Sequence, residues 1–314
     1  MSSHDATSPQ ATPTEASERL GVVLVAAAAI AWSLGGAIGR YLDATDPWTT
    51  VFWRSTWASV FLIGFMLWRD GARGMLRLFA GMGLPGLAVG CCFAIASSVF
   101  VIALQYTTVA NIVLMLAGVP LIAALISRIF LGETIARSTW LAIGAVIAGV
   151  AIMVSDSLTG NMSPIGDGLA LTIAFAFAIA TVVTRRFAHV RMTPATCLGT
   201  LMAGSLAALL APRLAVTGTE MGLLFAFGAL NLGLGLALFA TGARLIPAAL
   251  AALLGMLETV LSPVWVWAIH AEVPSARTMI GGAVIFAALL THLTLGWHRS
   301  RPRRPGATGV AQPR

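Results

Sequence analysis

Charged side chains are scarce in this chain, and lysine does not occur at all. Only 10% of the 314 residues are charged and 58% are hydrophobic, whereas a soluble globular domain carries about 25% charged and about 45–50% apolar residues. A chain this apolar cannot cover its surface with polar groups, so lipid must surround most of it. All 19 basic residues are arginine, which we interpret as a codon preference rather than as a mechanism.

Motifs for nucleotide, zinc and disulfide chemistry are also missing. The chain contains no G-x-x-x-x-G-K-S/T loop and no H-E-x-x-H motif, so neither an ATP-binding P-loop nor a zinc-binding helix is expected. Its three cysteines, Cys91, Cys92 and Cys197, lie inside apolar runs and supply no disulfide framework. No polar stretch is long enough for a soluble catalytic domain. We therefore expect no cofactor, no metal site and no enzymatic activity.

Long apolar runs make up most of the chain. Ten of them are separated by short polar loops, and each approaches the roughly 20 apolar residues that a transmembrane helix needs. Such runs form helices, because hydrocarbon offers no water to satisfy an open backbone. Nine or eleven spans are the alternatives to the count of ten. The sequence thus predicts an all-α membrane protein with ten transmembrane helices, at residues 20–38, 48–68, 82–104, 109–131, 139–154, 168–183, 194–210, 221–241, 247–269 and 279–295.

The distribution of arginine predicts the orientation in the membrane. With the N-terminus inside, 15 arginines fall in inner loops and tails and only three, Arg40, Arg213 and Arg277, fall outside. Basic residues collect on the cytoplasmic side of membrane proteins, so both termini are predicted to be cytoplasmic and the chain to lie in the cell inner membrane. The net charge of +7 therefore reports topology, and no nucleic-acid partner is expected.

An internal repeat relates the two halves of the chain. Residues 103–133 and 242–272 share a short polar hinge, an Ala/Leu-rich helix and a terminal glutamate at an offset of 139 residues, and Pro47 precedes the second helix as Pro194 precedes the seventh. With five helices each, the halves must cross the membrane in opposite orientations, a common build for secondary transporters. The predicted organisation is a cytoplasmic polar tail (1–19), two inverted five-helix repeats (20–155 and 163–297) around a central cavity, and a basic cytoplasmic tail (298–314).

Several short motifs occur in an order that is typical of one transporter family. They are Arg54 after Pro47, ALQY at 103–106, Pro120, GE at 132–133, Gly144 and Gly149, LE at 257–258, Pro263, Trp265, EVPS at 272–275 and GG at 281–282. Over residues 20–297 the chain resembles the drug/metabolite transporter superfamily, specifically its EamA-type permeases. The resemblance implies ten helices around a central cavity and ATP-independent export or import of amino acids or related metabolites. Thr259 departs from it, because family members often have proline there as well as at the position of Pro120.

Arg54 is an ionisable side chain about two turns inside the second apolar run. A charge there costs at least ~2.5–3.5 kcal/mol, so it should face a partner or a water-filled cavity. It is a candidate anchor for a substrate carboxylate, because guanidinium binds that group with two hydrogen bonds. The alternatives are snorkelling to the outer interface or pairing with Asp43 or Asp46.

Glu258 lies near the middle of the ninth run and is the first candidate for substrate binding. Helical spacing places Ala251, Gly255, Ser262 and Trp265 on its face, which leaves a groove of small residues beside the carboxyl group. Glu258 is predicted to bind a substrate ammonium group or to carry a coupling proton. The alternative is a neutral, hydrogen-bonded glutamic acid with a structural role.

Four further side chains are candidates for contact with substrate. Trp57 shares a face with Arg54 and could stack on an aromatic or cationic substrate, and Trp32 lies within the first run. Asn111 and Asn231 are neutral polar residues in or beside spans. Core or lipid packing of the tryptophans, and hydrogen bonds between helices for the asparagines, are the alternatives.

Two prolines and two glutamates are candidates for hinges and gates. Pro120 and Pro263 interrupt helical hydrogen bonding and could act as hinges. Glu133 and Glu272 end the fourth and ninth helices at opposite membrane faces, so they are predicted to be gate or loop-capping positions.

The predicted function is secondary transport of small metabolites such as amino acids, as an exporter, by alternating access and without ATP. A cavity with one cation and one carboxylate suits an amino acid. Broad-specificity drug efflux is the alternative within the same fold, and a passive channel or an intramembrane lipid-modifying enzyme are the alternatives outside it. Such an enzyme would show clustered His, Asp or Ser groups at one membrane face, and none appears. The expected partners are a small-molecule substrate and the lipid bilayer, with the protein a monomer or weak homo-oligomer.

Overall fold

The computed structural model describes residues 15–42, 45–132, 134, 137–158, 163–187 and 191–300, and this part of the chain is helical without any strand. The first half contains α1 (Glu15–Ser33), α2 (Gly35–Arg40), α3 (Pro47–Ala80), α4 (Gly83–Ala103), α5 (Val109–Leu116), α6 (Val119–Leu131) and α7 (Arg137–Leu158). The second half contains α8 (Pro164–Arg186), α9 (Met192–Leu210), α10 (Gly218–Phe225), a π-helical segment (Ala226–Leu234), α11 (Gly235–Gly242), α12 (Ala248–His270) and α13 (Ala276–Ser300).

Seven helical stretches are long and apolar enough to cross a membrane. They are Glu15–Arg40, Pro47–Ala80, Gly83–Ala103, Pro164–Arg186, Thr193–Leu210, Gly218–Gly242 and Leu250–His270. The pair α5 and α6, bent by 43°, makes an eighth if it is one broken span. The remaining two predicted spans correspond to the shorter apolar stretches Thr139–Ser155 and Ala276–His292. The all-α membrane fold is therefore confirmed, whereas the count of ten spans stays a prediction.

Local sequence signals set where several helices begin. Asp46 caps α3, because its carboxylate accepts a hydrogen bond from the backbone N–H of Thr49 at 2.9 Å, and Pro47 occupies the first turn, where it removes no needed donor. At the start of α10, Thr217 and Glu220 form a reciprocal capping box of the kind that satisfies two free N–H groups.

Two helices depart from the predicted boundaries. The second apolar run was expected to end at residue 68, but α3 continues to Ala80 through a kink at Gly71, whose φ of 68° is a conformation that glycine adopts without steric cost. The first span is broken between Ser33 and Gly35, where α1 gives way to the short α2.

The two candidate hinge prolines occupy different environments. Pro120 lies in the first turn of α6, just after the 43° bend, so it follows a break rather than interrupting a helix. Pro263 lies inside α12, which runs without a break from Ala248 to His270. Their roles as hinges stay predictions.

Helices from the two halves pack against each other. α3 packs on α9 and the π segment, α4 on α8 and α9, α7 on α13, α1 on α11 and α12, and α8 on α5 and α6. α5 also packs on α12 and α13, whereas α12 and α7 have no comparable packing among the described residues. The largest buried apolar cluster draws on both halves and includes Ile112, Met115, Met153, Ile173 and Ile285.

The π segment approaches α3 so closely that Gly228 has no room for a side chain. A Cβ atom at Gly228 would lie 2.7 Å from Trp57 Cβ and even closer to the backbone oxygen of Arg54. We expect Gly228→Ala to lower the free energy of unfolding by about 1–3 kcal/mol, since overpacking forces the backbone to shift.

Gly222 is the matched control for this prediction. It lies in α10, with no neighbouring atom within 4 Å of a Cβ at that position, so Gly222→Ala should be neutral or slightly stabilising. Thermal unfolding of the two variants in detergent checks the prediction. Equal melting temperatures would mean that this contact does not constrain the fold.

Candidate functional site

Arg54 projects from α3 between α4 and the π segment and is only 6% exposed. Its Nη1 donates hydrogen bonds to the Ser97 hydroxyl at 2.8 Å and to the Ser97 carbonyl at 3.3 Å. Its Cζ lies 4.4 Å from the centroid of the Phe227 ring and 5.6 Å from that of Phe100, distances at which a cation is attracted to an aromatic face. The structure thus encloses the guanidinium rather than letting it snorkel.

No carboxylate pairs with Arg54 in the described part of the chain. Asp46, one of the two partners considered from the sequence, is instead the cap of α3, and Asp43 lies outside the described residues. Three buried atoms of α3 have no hydrogen-bond partner among the described residues: Thr50 Oγ1, Arg54 Nε and Ser55 Oγ. This is an unusual accumulation, because buried polar groups in proteins are nearly always hydrogen-bonded.

Glu258 is half-buried on the face of α12 that packs against α1. On that face Ala251 and Ser262 are buried, and Trp265 Nε1 donates a hydrogen bond to Ser33 Oγ of α1 at 3.0 Å. Gly255, one turn before Glu258, has no neighbouring atom within 4 Å of a Cβ position. The Cα–Cβ bond of a helical residue tilts towards the N-terminus, so the Cβ atom of Glu258 is on the Gly255 side of its own Cα atom.

Asn231 and Trp32 meet at the break between α1 and α2. Asn231 Nδ2 donates hydrogen bonds to the carbonyls of Ala31 at 2.7 Å and Trp32 at 3.2 Å. A Cβ at Gly35 would lie 3.1 Å from the Asn231 amide, so the glycine permits this approach. The Trp32 ring packs against Phe239, with 5.4 Å between centroids. Asn231 therefore satisfies carbonyls where α1 ends, and its contact with substrate stays a prediction.

Asn111 and Trp57 likewise make contacts within the protein. Asn111 Nδ2 donates to Asp167 Oδ1 at 2.6 Å and to Thr107 Oγ1 at 3.0 Å. Trp57 Nε1 lies 3.4 Å from Met221 Sδ, so this side chain packs α3 against α10. Asp167, 3% exposed in the first turn of α8, is a polar partner that the sequence reasoning did not single out.

Glu272 is the centre of a polar cluster of five residues, called here the Glu272 cluster: Arg40, Leu104, Thr107, Val109 and Glu272. Arg40 Nε lies 2.7 Å from Glu272 Oε2, and the other Glu272 oxygen accepts from the Val109 N–H at 2.8 Å. Arg40 also donates to the carbonyls of Leu104 and, at 2.7 Å, of Thr107. The cluster thus joins α2, the α4–α5 hinge and the end of α12.

Sequence reasoning identified Glu272 and missed its partner. Arg40 had been counted only as one of three arginines on the predicted outer side, and that rarity was the available signal. Next to the cluster, His270 Nε2 lies 2.9 Å from the Ala37 carbonyl, which attaches α12 to α2 a second time. Glu133, the other candidate gate, lies outside the described residues.

The structure does not bring Arg54 and Glu258 into contact. α12 packs against α1, α2, α5 and α13, whereas Arg54 lies among α3, α4 and the π segment. A shared cavity lined by both groups therefore stays a prediction.

Taken together, long apolar helices from two interleaved halves, with isolated charged groups inside the spans, define a polytopic membrane protein of the transporter class. The model of the EamA-like transporter family matches the chain twice, over residues 19–155 and 164–294. The chain belongs to this family, within the drug/metabolite transporter superfamily that the sequence motifs had predicted. Its membership in a transporter family also confirms the prediction that it is not an enzyme.

Individual relatives agree with this assignment. The chain is 27% identical over 276 residues to the pseudopaline exporter CntI of Pseudomonas aeruginosa strains UCBPP-PA14 and PAO1, an alignment that covers 86% of this chain and 94% of each relative. A protein of known crystal structure, 20% identical, superposes with a TM-score of 0.63 over 88% of this chain and 97% of its own. That likeness supports the fold alone.

Proposed function

We propose that the protein is a secondary transporter that exports a small metabolite by alternating access between two inverted repeats. The observation that carries this proposal is the symmetry of the helix packing. In an inverted five-plus-five repeat, α1 corresponds to α8, α3 to α9, α4 to the α10–α11 stretch, α5–α6 to α12, and α7 to α13. The packing of α1 on α11 and α12 then matches that of α8 on α4 and α5–α6.

The contact of α5 with α13 breaks this symmetry and supports two alternating states. α5 packs on α13 at the end of the bundle that carries the Glu272 cluster, but its counterpart, α12 on α7, lacks such packing among the described residues. An inverted repeat has two equivalent asymmetric arrangements, and exchange between them exposes a site first to one side and then to the other. The structure would correspond to the arrangement in which the Glu272 end is closed.

The orientation and the direction of transport rest on different observations. The bias of 15 inner arginines against three outer ones supports cytoplasmic termini, and therefore an outward-facing Glu272 end. The two relatives named as exporters support export of a small metabolite. Glu258, a carboxyl group inside a span that has no ion pair with any described residue, is the proposed site for a coupling proton or for a substrate ammonium group.

Transport by the purified protein in liposomes tests the proposal. The liposomes are loaded with a mixed labelled pool of amino acids, and the loss of each species is followed with and without a pH gradient against protein-free liposomes. Saturable, selective efflux is the expected result. Efflux that rises linearly with concentration would indicate a channel, and no efflux from folded protein would remove amino acids as the proposed substrates.

A further inference from the structure

The edge of the Arg54 guanidinium formed by Nε and Nη2 makes no hydrogen bond within the part of the chain that the structure describes. Nη1 is occupied by Ser97, but Nε is buried without a partner, and no carboxylate of residues 15–42, 45–132, 134, 137–158, 163–187 or 191–300 pairs with the charge. An unsatisfied buried donor costs about 1–3 kcal/mol, and more when it is charged. The empty protein thus bears the free-energy cost of an unsatisfied guanidinium donor. A ligand that supplies the missing acceptor would remove this cost, which explains why the site is built in this way.

A small cleft lies beside Thr50, one helical turn before Arg54 on α3. Thr50, four residues before Arg54 on the same face of α3, lines it together with Val101, Gln105 and Phe227, and no acidic side chain takes part. Thr50 Oγ1 is a second buried polar atom without a partner. The Phe227 ring forms a wall of the cleft and also the surface on which Arg54 stacks. The free polar atoms of Thr50 and Arg54 are therefore consecutive along one face of the helix.

We propose that Arg54 and Thr50 form a carboxylate-binding subsite, and that the exported metabolite carries a carboxylate that binds there. This inference rests on the proposed transport function and names the substrate class. The Nε–Nη2 edge of a guanidinium matches the two oxygens of a carboxylate, and Ser97 and the Phe227 ring hold its plane in place. One uncompensated cation also matches one monoanion in charge.

The cleft as it stands is too small for a whole metabolite. It has about 10 Å³ open to a water-sized molecule, which is room for about one water. The subsite therefore receives the carboxylate only when the surrounding helices separate, as they do when the Glu272 end opens. Loading and opening are coupled in this way, because the ligand is accommodated in only one of the two arrangements.

Thermal unfolding of the purified, full-length protein in detergent tests the subsite independently of transport. The probes are matched pairs that differ only in the anionic group: N-acetylglycine against N-acetylglycinamide, and phenylacetate against phenylacetamide. A ligand that binds the folded state raises the melting temperature with its concentration. The carboxylates should do so and the amides should not. Arg54→Lys, which keeps the charge but loses the two-donor edge, should weaken the apparent affinity by about tenfold or more.

Two further variants keep the test decisive. Arg69→Lys, on the same helix but paired with Asp70 at 2.7 Å, should leave carboxylate binding unchanged. Should Arg54→Lys fail to fold, Thr50→Val, which removes only the free hydroxyl, should still weaken binding several-fold. Equal shifts from acids and amides, or no carboxylate-dependent shift in folded wild type, would overturn the inference even if the liposomes show transport. Carboxylate binding without transport would uphold the subsite and count against the proposed function instead.

Discussion

Replacing Glu258 by glutamine should abolish the response of transport to a pH gradient while leaving the protein folded. The carboxyl group has no hydrogen bond or ion pair among the described residues, so an amide of the same size removes no internal polar contact. If Glu258 carries the coupling proton, the amide cannot replace it, and accumulation driven by the gradient should fall to the level of protein-free liposomes. Efflux from liposomes with and without the gradient measures this.

The same variant separates the two proposed roles of Glu258. Exchange of labelled for unlabelled substrate needs no net proton movement, so a proton carrier should keep exchange in Glu258→Gln. A residue that binds a substrate ammonium group should lose exchange too, by about thirtyfold or more, because truncating one member of a buried charge pair costs about 2–5 kcal/mol. Glu258→Asp, which keeps the acid, is the control and should retain partial activity in both cases. Normal gradient-driven efflux by Glu258→Gln would assign the residue a purely structural role.

The helices were predictable because their signals are local. Each apolar run has a helical counterpart, and the start of α3 could be expected from Asp46 and Pro47, whose capping chemistry operates within one turn. The break at Leu34 was not predicted, although Gly35 and Gly36 directly after it are residues that weaken a helix. Asn231 stabilises the break by donating a hydrogen bond to the carbonyl of Ala31, 200 positions earlier in the sequence. The residues around the break give no indication of so distant a partner.

The sequence allowed single residues of the candidate site to be predicted, but not the residues that they contact. Arg54, Glu258 and Glu272 are conspicuous because an ionisable group in or beside an apolar run raises the free energy of inserting that run into the membrane. Their surroundings depend on helix packing: Ser97 and Phe227 approach Arg54 from two other helices, and Arg40 approaches Glu272 across 232 positions in the sequence. For the same reason the hydrogen bond from Asn111 to Asp167 could not be predicted before the helices were in place, and contact of Asn111 with substrate stays a prediction.

Loss of the charge at Glu272 should open the end of the bundle that the Glu272 cluster closes. The Arg40 and Glu272 side chains are 15% and 16% exposed, so removing one charge leaves the other largely desolvated, at a cost of about 2 kcal/mol or more. That would raise the ratio of open to closed forms by about thirtyfold. The readout is Val101→Cys, a 4% exposed position lining the cleft, in a background with the three native cysteines replaced by alanine. A membrane-impermeant maleimide should label it much faster when Glu272→Gln is added.

Tyr41→Cys is the control for this labelling, because Tyr41 lies at the same end and is already 59% exposed. Its labelling should not change with Glu272→Gln. Equal labelling of Val101→Cys with and without that substitution would show that the cluster does not hold the end closed.

Exchanging the two charges should not restore closure, and this distinguishes the cluster from a simple ion pair. With Arg40→Glu and Glu272→Arg combined, the attraction between the positions is kept. The new carboxylate, however, would face the carbonyls of Leu104 and Thr107, and the new guanidinium would face the N–H of Val109, so acceptors meet acceptors and donors meet donors. Val101→Cys should therefore stay accessible in the exchanged protein. Recovery of slow labelling would mean that charge attraction alone closes this end, and that the contacts to the α4–α5 hinge are incidental.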